Sequence, residues 1–209
     1  LELFEFAVSG NCHKVRMLLS MLNLEYTSRS LNSTEREQKS EDFLKINPLG
    51  QVPVLKDKAV FIRDSQAILV YLAIEYGNED WFPRSGIGSA KVMEWLSTSA
   101  NEVTRGPAAL RAHYRFGRSI PVEEAVFITN QLLSLLEDHL KKHPWLAAEK
   151  VTIADLAMYP YIALASEGKI DVRPFPNLCD WLKRIEDLPG YVSMPGIELQ
   201  KGESSKSDS

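Results

Sequence analysis

Short apolar runs alternate with helical periodicity through the first 76 residues, and after Gly77 no strand-like run returns. A sheet can therefore be built only from the front of the chain, and the back must close its core with helices. Residues 1–6 read as a short buried strand. Val15, Leu18, Leu19 and Leu22 recur at helical spacing over 12–22. Residues 25–31 make a second strand, and 40–46 a short helix closed by Asn47-Pro48. Residues 53–55 and 60–62 read as strands joined by the polar turn Lys56-Asp57-Lys58. Asp64-Ser65 then opens a helix through Ile68, Leu69, Leu72 and Ile74. The predicted order is β-α-β-α-β-β-α.

Residues 77–89, with three glycines and one proline, break this pattern and read as a linker. Helical segments follow at 91–102, past Gly106-Pro107 toward Tyr114, and at 122–142, 153–165 and 177–185. In the longest, Leu132, Leu133, Leu135, Leu136 and Leu140 are expected to fill one broad face. Thr152 and Asp155 have capping-box spacing, a signal for folding rather than chemistry. Residues 201–209 are rich in Ser, Lys and Asp and are expected to form a disordered tail. The division is an α/β domain over 1–77 and an all-helical one over 88–200.

Charge narrows the partners. Lys and Arg number 24 against 28 Asp and Glu, a net charge of −4, so nothing draws the chain generally to nucleic acid or anionic lipid. No apolar run is long enough to span a bilayer. Cys12 and Cys179 are too far apart in sequence to read as a disulfide framework, which points to a reduced, cytoplasmic setting. The chain opens on Leu1 rather than Met, so one or more residues are expected upstream.

Three segments carry candidate chemistry. Ser9-Gly10-Asn11-Cys12-His13 lies between the first strand and helix, where free amide N–H groups and the helix dipole favour an anion. Ser9 and Cys12 have the spacing of a CxxC motif with serine in the first position. Such a site cannot close its own disulfide, but its hydroxyl can donate to a bound thiolate. Ser9 or Asn11 can equally be a simple helix cap. In the second segment, 47–55, a cis Val52-Pro53 bond would turn the Val52 backbone toward an extended peptide, whereas a trans proline would merely start a strand. Asp64-Ser65, the third, could hold an ammonium and a carboxylate together, or cap its helix, or both. His139 and His143 lack a third metal ligand, and His13 lacks an acid partner. Cys12 and Cys179 read as packing.

In this order the three segments resemble the glutathione S-transferase family, and the resemblance covers the chain up to the tail. It implies a thioredoxin-like N-terminal domain that binds glutathione as co-substrate, without a metal. A helical C-terminal domain would complete a site for a small hydrophobic electrophile. By position, Ser9 matches the serine that holds the glutathione sulfur, with Asn11 as a competitor. Val52-Pro53 matches the turn that pairs with the cysteinyl backbone, and Asp64 with Ser65 the pair that holds the γ-glutamyl end. Gln38, Lys39 and Gln51 fall where members contact the rest of the peptide. Arg105, Arg111 and Tyr114 could border the electrophile pocket by analogy of position. The family also implies a homodimer. The competing readings are a glutathione-dependent disulfide reductase or peroxidase using Asn11, and a binding module without turnover.

Overall fold

The computed structural model describes residues 1–197. A four-stranded sheet is built from β1 (Glu2–Glu5), β2 (Thr27–Ser30), β3 (Val54–Asp57) and β4 (Val60–Arg63), in the order β2-β1-β3-β4. The β1–β2 pair is parallel; β1–β3 and β3–β4 are antiparallel. The parallel pair needs a crossover, which α1 (Gly10–Met21) supplies, while α2 (Glu41–Ile46) and α3 (Ser65–Glu75) complete the front unit. This is the thioredoxin-like arrangement expected, followed by helices only: α4 (Gly86–Thr98), α5 (Pro107–Phe116), α6 (Val122–Leu140), α7 (Ile153–Ala163) and α8 (Pro176–Glu186).

Five of the helix starts have a local cause in a side-chain cap. Ser9, Ser40, Asp64, Ser85 and Thr152 cap α1, α2, α3, α4 and α7 with side-chain oxygens that accept backbone N–H bonds. Thr152 and Asp155 form the capping box. The Asp155 carboxylate is fully buried and accepts from Thr152 N (2.9 Å), Leu146 N (3.0 Å) and Trp181 Nε1 (3.0 Å). It ties α7 to α8 at the centre of one continuous apolar core. That core runs from Leu3 and Leu55 in the sheet through Val15, Leu18 and Leu69 to Leu136, Met158 and Trp181.

Three expectations are corrected. Lys56 and Asp57 belong to β3 rather than to the turn, because they pair with Phe61 and Val60 of β4, and the Tyr71 hydroxyl (2.7 Å) and the Tyr76 hydroxyl both donate to the buried Asp57 carboxylate. Helix α4 begins at Gly86, inside the stretch read as a linker. Ser85 accepts from Gly88 N at 3.1 Å and starts a helix that two glycines disguise. Leu135 is 54% exposed, since Leu132, Leu136 and Leu140 follow the i, i+4 stripe and Leu135 falls off it. A π-helical turn, Ser99–Val103, joins α4 to the segment before α5, and no local composition marks it. The expected tail at 201–209 lies outside the described residues. Among those described, no helix is long and apolar enough to cross a membrane, and no cluster of three metal-ligating side chains occurs.

Candidate functional site

The first turn of α1 is held from beneath. A Cβ on Gly10 would come within 2.8 Å of the Tyr161 ring, so only glycine lets the helix start this close to α7. Four residues on, Lys14 is buried, and its Nζ donates to Ser99 Oγ at 3.1 Å. Ser99 in turn donates to the Ala157 carbonyl at 2.8 Å. This chain links α1, the π turn and α7. Burial pushes the Lys14 ammonium down to about 7, with Asp64 pulling weakly the other way. The π turn thus delivers a hydroxyl to a buried lysine.

On this support stands Ser9. Its Oγ accepts the Cys12 backbone N–H at 3.3 Å, so the capping reading holds. Accepting that bond uses a lone pair and leaves the hydroxyl proton for a partner outside the helix, so cap and donor are compatible roles. Cys12 is no nucleophile: burial pushes its thiol up to about 11. His13 is buried with no hydrogen-bond partner on either ring nitrogen among the described residues, and burial pushes it down to about 3. It is neutral and cannot activate Ser9 through an acid partner.

Two clefts meet at this helix start. The smaller, about 80 Å³, brings together Asn11, Gln51, Val52, Pro53, Asp64 and Ser65, residues up to 54 positions apart in the chain. The Val52-Pro53 bond is cis. The β1–β3 ladder begins only at Val54, so the Val52 backbone pairs with no strand. Asn47 braces the preceding loop, donating to the Gln51 carbonyl (2.9 Å) and accepting from Leu49 N (3.1 Å). Asp64 adopts φ 76°, a left-handed conformation that costs a non-glycine residue about 1–3 kcal/mol. Its Oδ1 accepts from Gln66 N (3.0 Å) and Ala67 N (3.1 Å), leaving Oδ2 for a cation. Ser65 is buried and donates to Gln66 Oε1 at 2.7 Å. Arg63 also lines this cleft and was not anticipated.

The larger cleft, about 430 Å³, has Ser9 on one wall and Phe6, Gln38, Arg111, Phe116 and Tyr161 around it. Burial pushes the Tyr161 phenol up to about 12, opposed by the Arg111 charge and the Asn11 backbone amide. Gln38 therefore faces this cleft rather than the smaller one. Lys39 lines neither; its Nζ donates to the Leu49 carbonyl at 2.7 Å and steadies the loop. Of the three residues expected at an electrophile pocket, only Arg111 is there. Arg105 points away to pair with Glu124, and the Tyr114 ring lies under Lys169 Nζ at 4.2 Å. Tyr161 and Arg118, both in the lining, were missed, since one reads as helix core and the other as a surface charge. A larger cleft still, about 520 Å³ beside Ile170 and Leu182, holds none of the candidate residues.

Residues 3–80 match the glutathione S-transferase N-terminal domain, and residues 111–189 its C-terminal domain. Human glutathione S-transferase theta-2 is 31% identical over 91% of this chain and 82% of its own length. A disulfide-bond oxidoreductase of Escherichia coli, YfcG, is 26% identical over 88% of this chain and 89% of its own. A glutathione S-transferase structure from Xanthobacter autotrophicus Py2 superimposes with a TM-score of 0.85 at 29% identity, covering 93% of this chain and 97% of that one. With both halves matched and the cis proline, the Asp64 cap and the helix start assembled at one place, the chain belongs to the glutathione S-transferase family.

Proposed function

We propose that this chain binds glutathione in the small cleft and presents its thiolate to an electrophile in the large one. The observation that carries the reading is the sharing of one helix start. Ser9 lines the large cleft and Asn11, two residues on, lines the small one. A tripeptide lying along Val52, with its ammonium at Asp64, would therefore bring its thiol to the mouth of the second cleft. There the Ser9 hydroxyl donates to the sulfur, and the α1 amides add the positive end of the dipole. A free thiol titrates near 8.5, and each unit of depression is about 1.4 kcal/mol. One hydrogen bond to a charged group contributes about 1.5–3 kcal/mol, enough to make the thiolate common at neutral pH. The thiolate then forms a bond to the electrophilic atom, and the leaving group departs with the bonding pair.

A second reading has its own support. Asn11, not Ser9, lines the cleft that holds Val52 and Pro53, and one relative is a disulfide-bond oxidoreductase. In that case the bound thiolate attacks one disulfide sulfur and forms a mixed disulfide, while the other sulfur leaves as a thiolate with the S–S pair. Turnover of an aryl chloride and of a small disulfide, each with glutathione, separates the two. The transferase reading expects the aryl chloride to react faster relative to its uncatalysed rate. Glutathione binding without either turnover would leave only a binding module.

The working form is a two-fold dimer. β4, α3 and α4 leave Val60, Phe61, Ile74 and Ile87 exposed at 58%, 42%, 45% and 77%, apolar side chains that a two-fold partner would cover. A stable 23.6 kDa species in sedimentation would contradict it. Cys12 and Cys179 form no disulfide with each other, which suits a reducing cytoplasmic setting.

A further inference from the structure

The wall of the large cleft carries charge that an apolar electrophile would leave unused. Arg111 is 3% exposed. Its Nε donates to Glu167 and its Nη1 to the Val8 carbonyl at 3.0 Å, while Nη2 is buried without a partner among the described residues. A buried donor left unpaired is costly, and more so on a charged group. Glu167 is already shared, because Arg115 pairs with its other oxygen. Arg118 lines the same cleft and is exposed. Arg111 and Arg115 thus share one carboxylate, Arg118 adds a second guanidinium to the lining, and none of the cleft-lining residues is acidic. Beside the charge lies a body of aromatic surface. Phe116 stacks on Arg111 with 5.3 Å from guanidinium carbon to ring centroid, and Phe6 and Tyr161 complete it.

Resting on the transferase reading above, we propose that the second substrate is an electrophile carrying a carboxylate on an aromatic body. The carboxylate takes the unpartnered Nη2 of Arg111 and the planar fork of Arg118, which matches its two oxygens. The rings hold the body and leave the reacting carbon at the Ser9 end. For an aryl chloride, the glutathione sulfur forms the new C–S bond, chloride leaves with the C–Cl pair, and the carboxylate is unchanged. This sets the site apart from the purely hydrophobic pocket that the resemblance implies.

The test compares 4-chloro-3,5-dinitrobenzoate with its isosteric carboxamide, each with glutathione, dividing kcat/KM by the uncatalysed rate constant. The benzoate is expected to be favoured by about ten- to a hundredfold at low salt, the span of one hydrogen bond to a charged group. The preference should shrink as salt is raised. Arg118 is exposed, so Arg118→Gln spares the fold; it should cut the preference about tenfold, with Arg118→Lys recovering part of it. Arg105→Gln, outside the cleft, should leave the preference intact. Equal normalised efficiencies for the two compounds would overturn the proposal while the transferase reading stands. So would a preference that survives Arg118→Gln undiminished. Turnover of neither compound would remove the transferase reading and this proposal with it.

Discussion

The cleft beside Asp64 and the cleft beside Arg111 share one wall, the start of α1, and are otherwise built in opposite ways. The first is made largely of backbone and of side chains that shape it: the unpaired Val52 segment before β3, a cis Val52-Pro53 bond, a helix cap at Asp64 held at φ 76°, and a loop braced by Asn47. The second is made of side chains from distant elements, Phe6 after β1, Arg111 and Phe116 on α5 and Tyr161 on α7. Backbone sites tolerate little change in their ligand, because every donor is fixed by the fold. Side-chain sites can be retuned one residue at a time. A fixed co-substrate in the first cleft and a family-variable one in the second is the division of labour this construction favours.

Asp64 distinguishes the two clefts most strongly. Asparagine keeps the Oδ1 cap and tolerates positive φ, but loses the charge. Asp64→Asn should weaken glutathione binding about ten- to a hundredfold by calorimetry, from the loss of about 1.5–3 kcal/mol. Stability should stay within about 0.5 kcal/mol. Loss of stability without loss of affinity would mean that Asp64 serves only its helix.

Lys14 lies under the wall both clefts share, so its replacement should touch both alike. Its folded pKa, about 7, is depressed below the ordinary lysine range. Between about pH 7 and 10.4 the unfolded chain therefore binds more protons than the folded one, and stability rises with pH through that window. The slope from one such group is at most about 1.4 kcal/mol per pH unit. Lys14→Met should flatten that rise in denaturant titrations run across the window. An unchanged profile would show that the buried amine stays charged.

The smallest effects sharpen the outer boundary of the large cleft. Arg105 pairs with Glu124 at the surface, where such pairs contribute about 0–1 kcal/mol. Arg105→Gln and Tyr114→Phe should each shift stability by no more than about 0.5 kcal/mol and leave kcat/KM for the aryl chloride unchanged. A tenfold fall in either would extend the cleft to those residues.

The same contrast explains what the sequence could tell. Ser9, Val52-Pro53 and Asp64-Ser65 are local signals, a cap or turn residue next to the element it shapes, and each sits where its neighbours in sequence put it. Arg118 and Tyr161 come together through the packing of α5 on the turn after α7, Ala165–Gly168, which leaves no mark at either position alone. Arg105 and Tyr114 failed for the matching reason. They share a segment with Arg111, but helix phase and the pairings with Glu124 and Lys169 turn them elsewhere. Gly86 and Gly88 hid a helix start that the Ser85 cap secures. The π turn at Ser99–Val103 has no compositional signature.

On the proposed reading, Ser9 activates the sulfur where the clefts meet. Thiolate absorbance of bound glutathione, titrated against pH in the parent protein, Ser9→Ala and Asn11→Ala, tests it directly. Ser9→Ala should raise the thiol pKa by about one to two units, the span of one hydrogen bond to a thiolate, while Asn11→Ala leaves it nearly in place. A rise confined to Asn11→Ala would contradict the account and move the activating group to the small cleft.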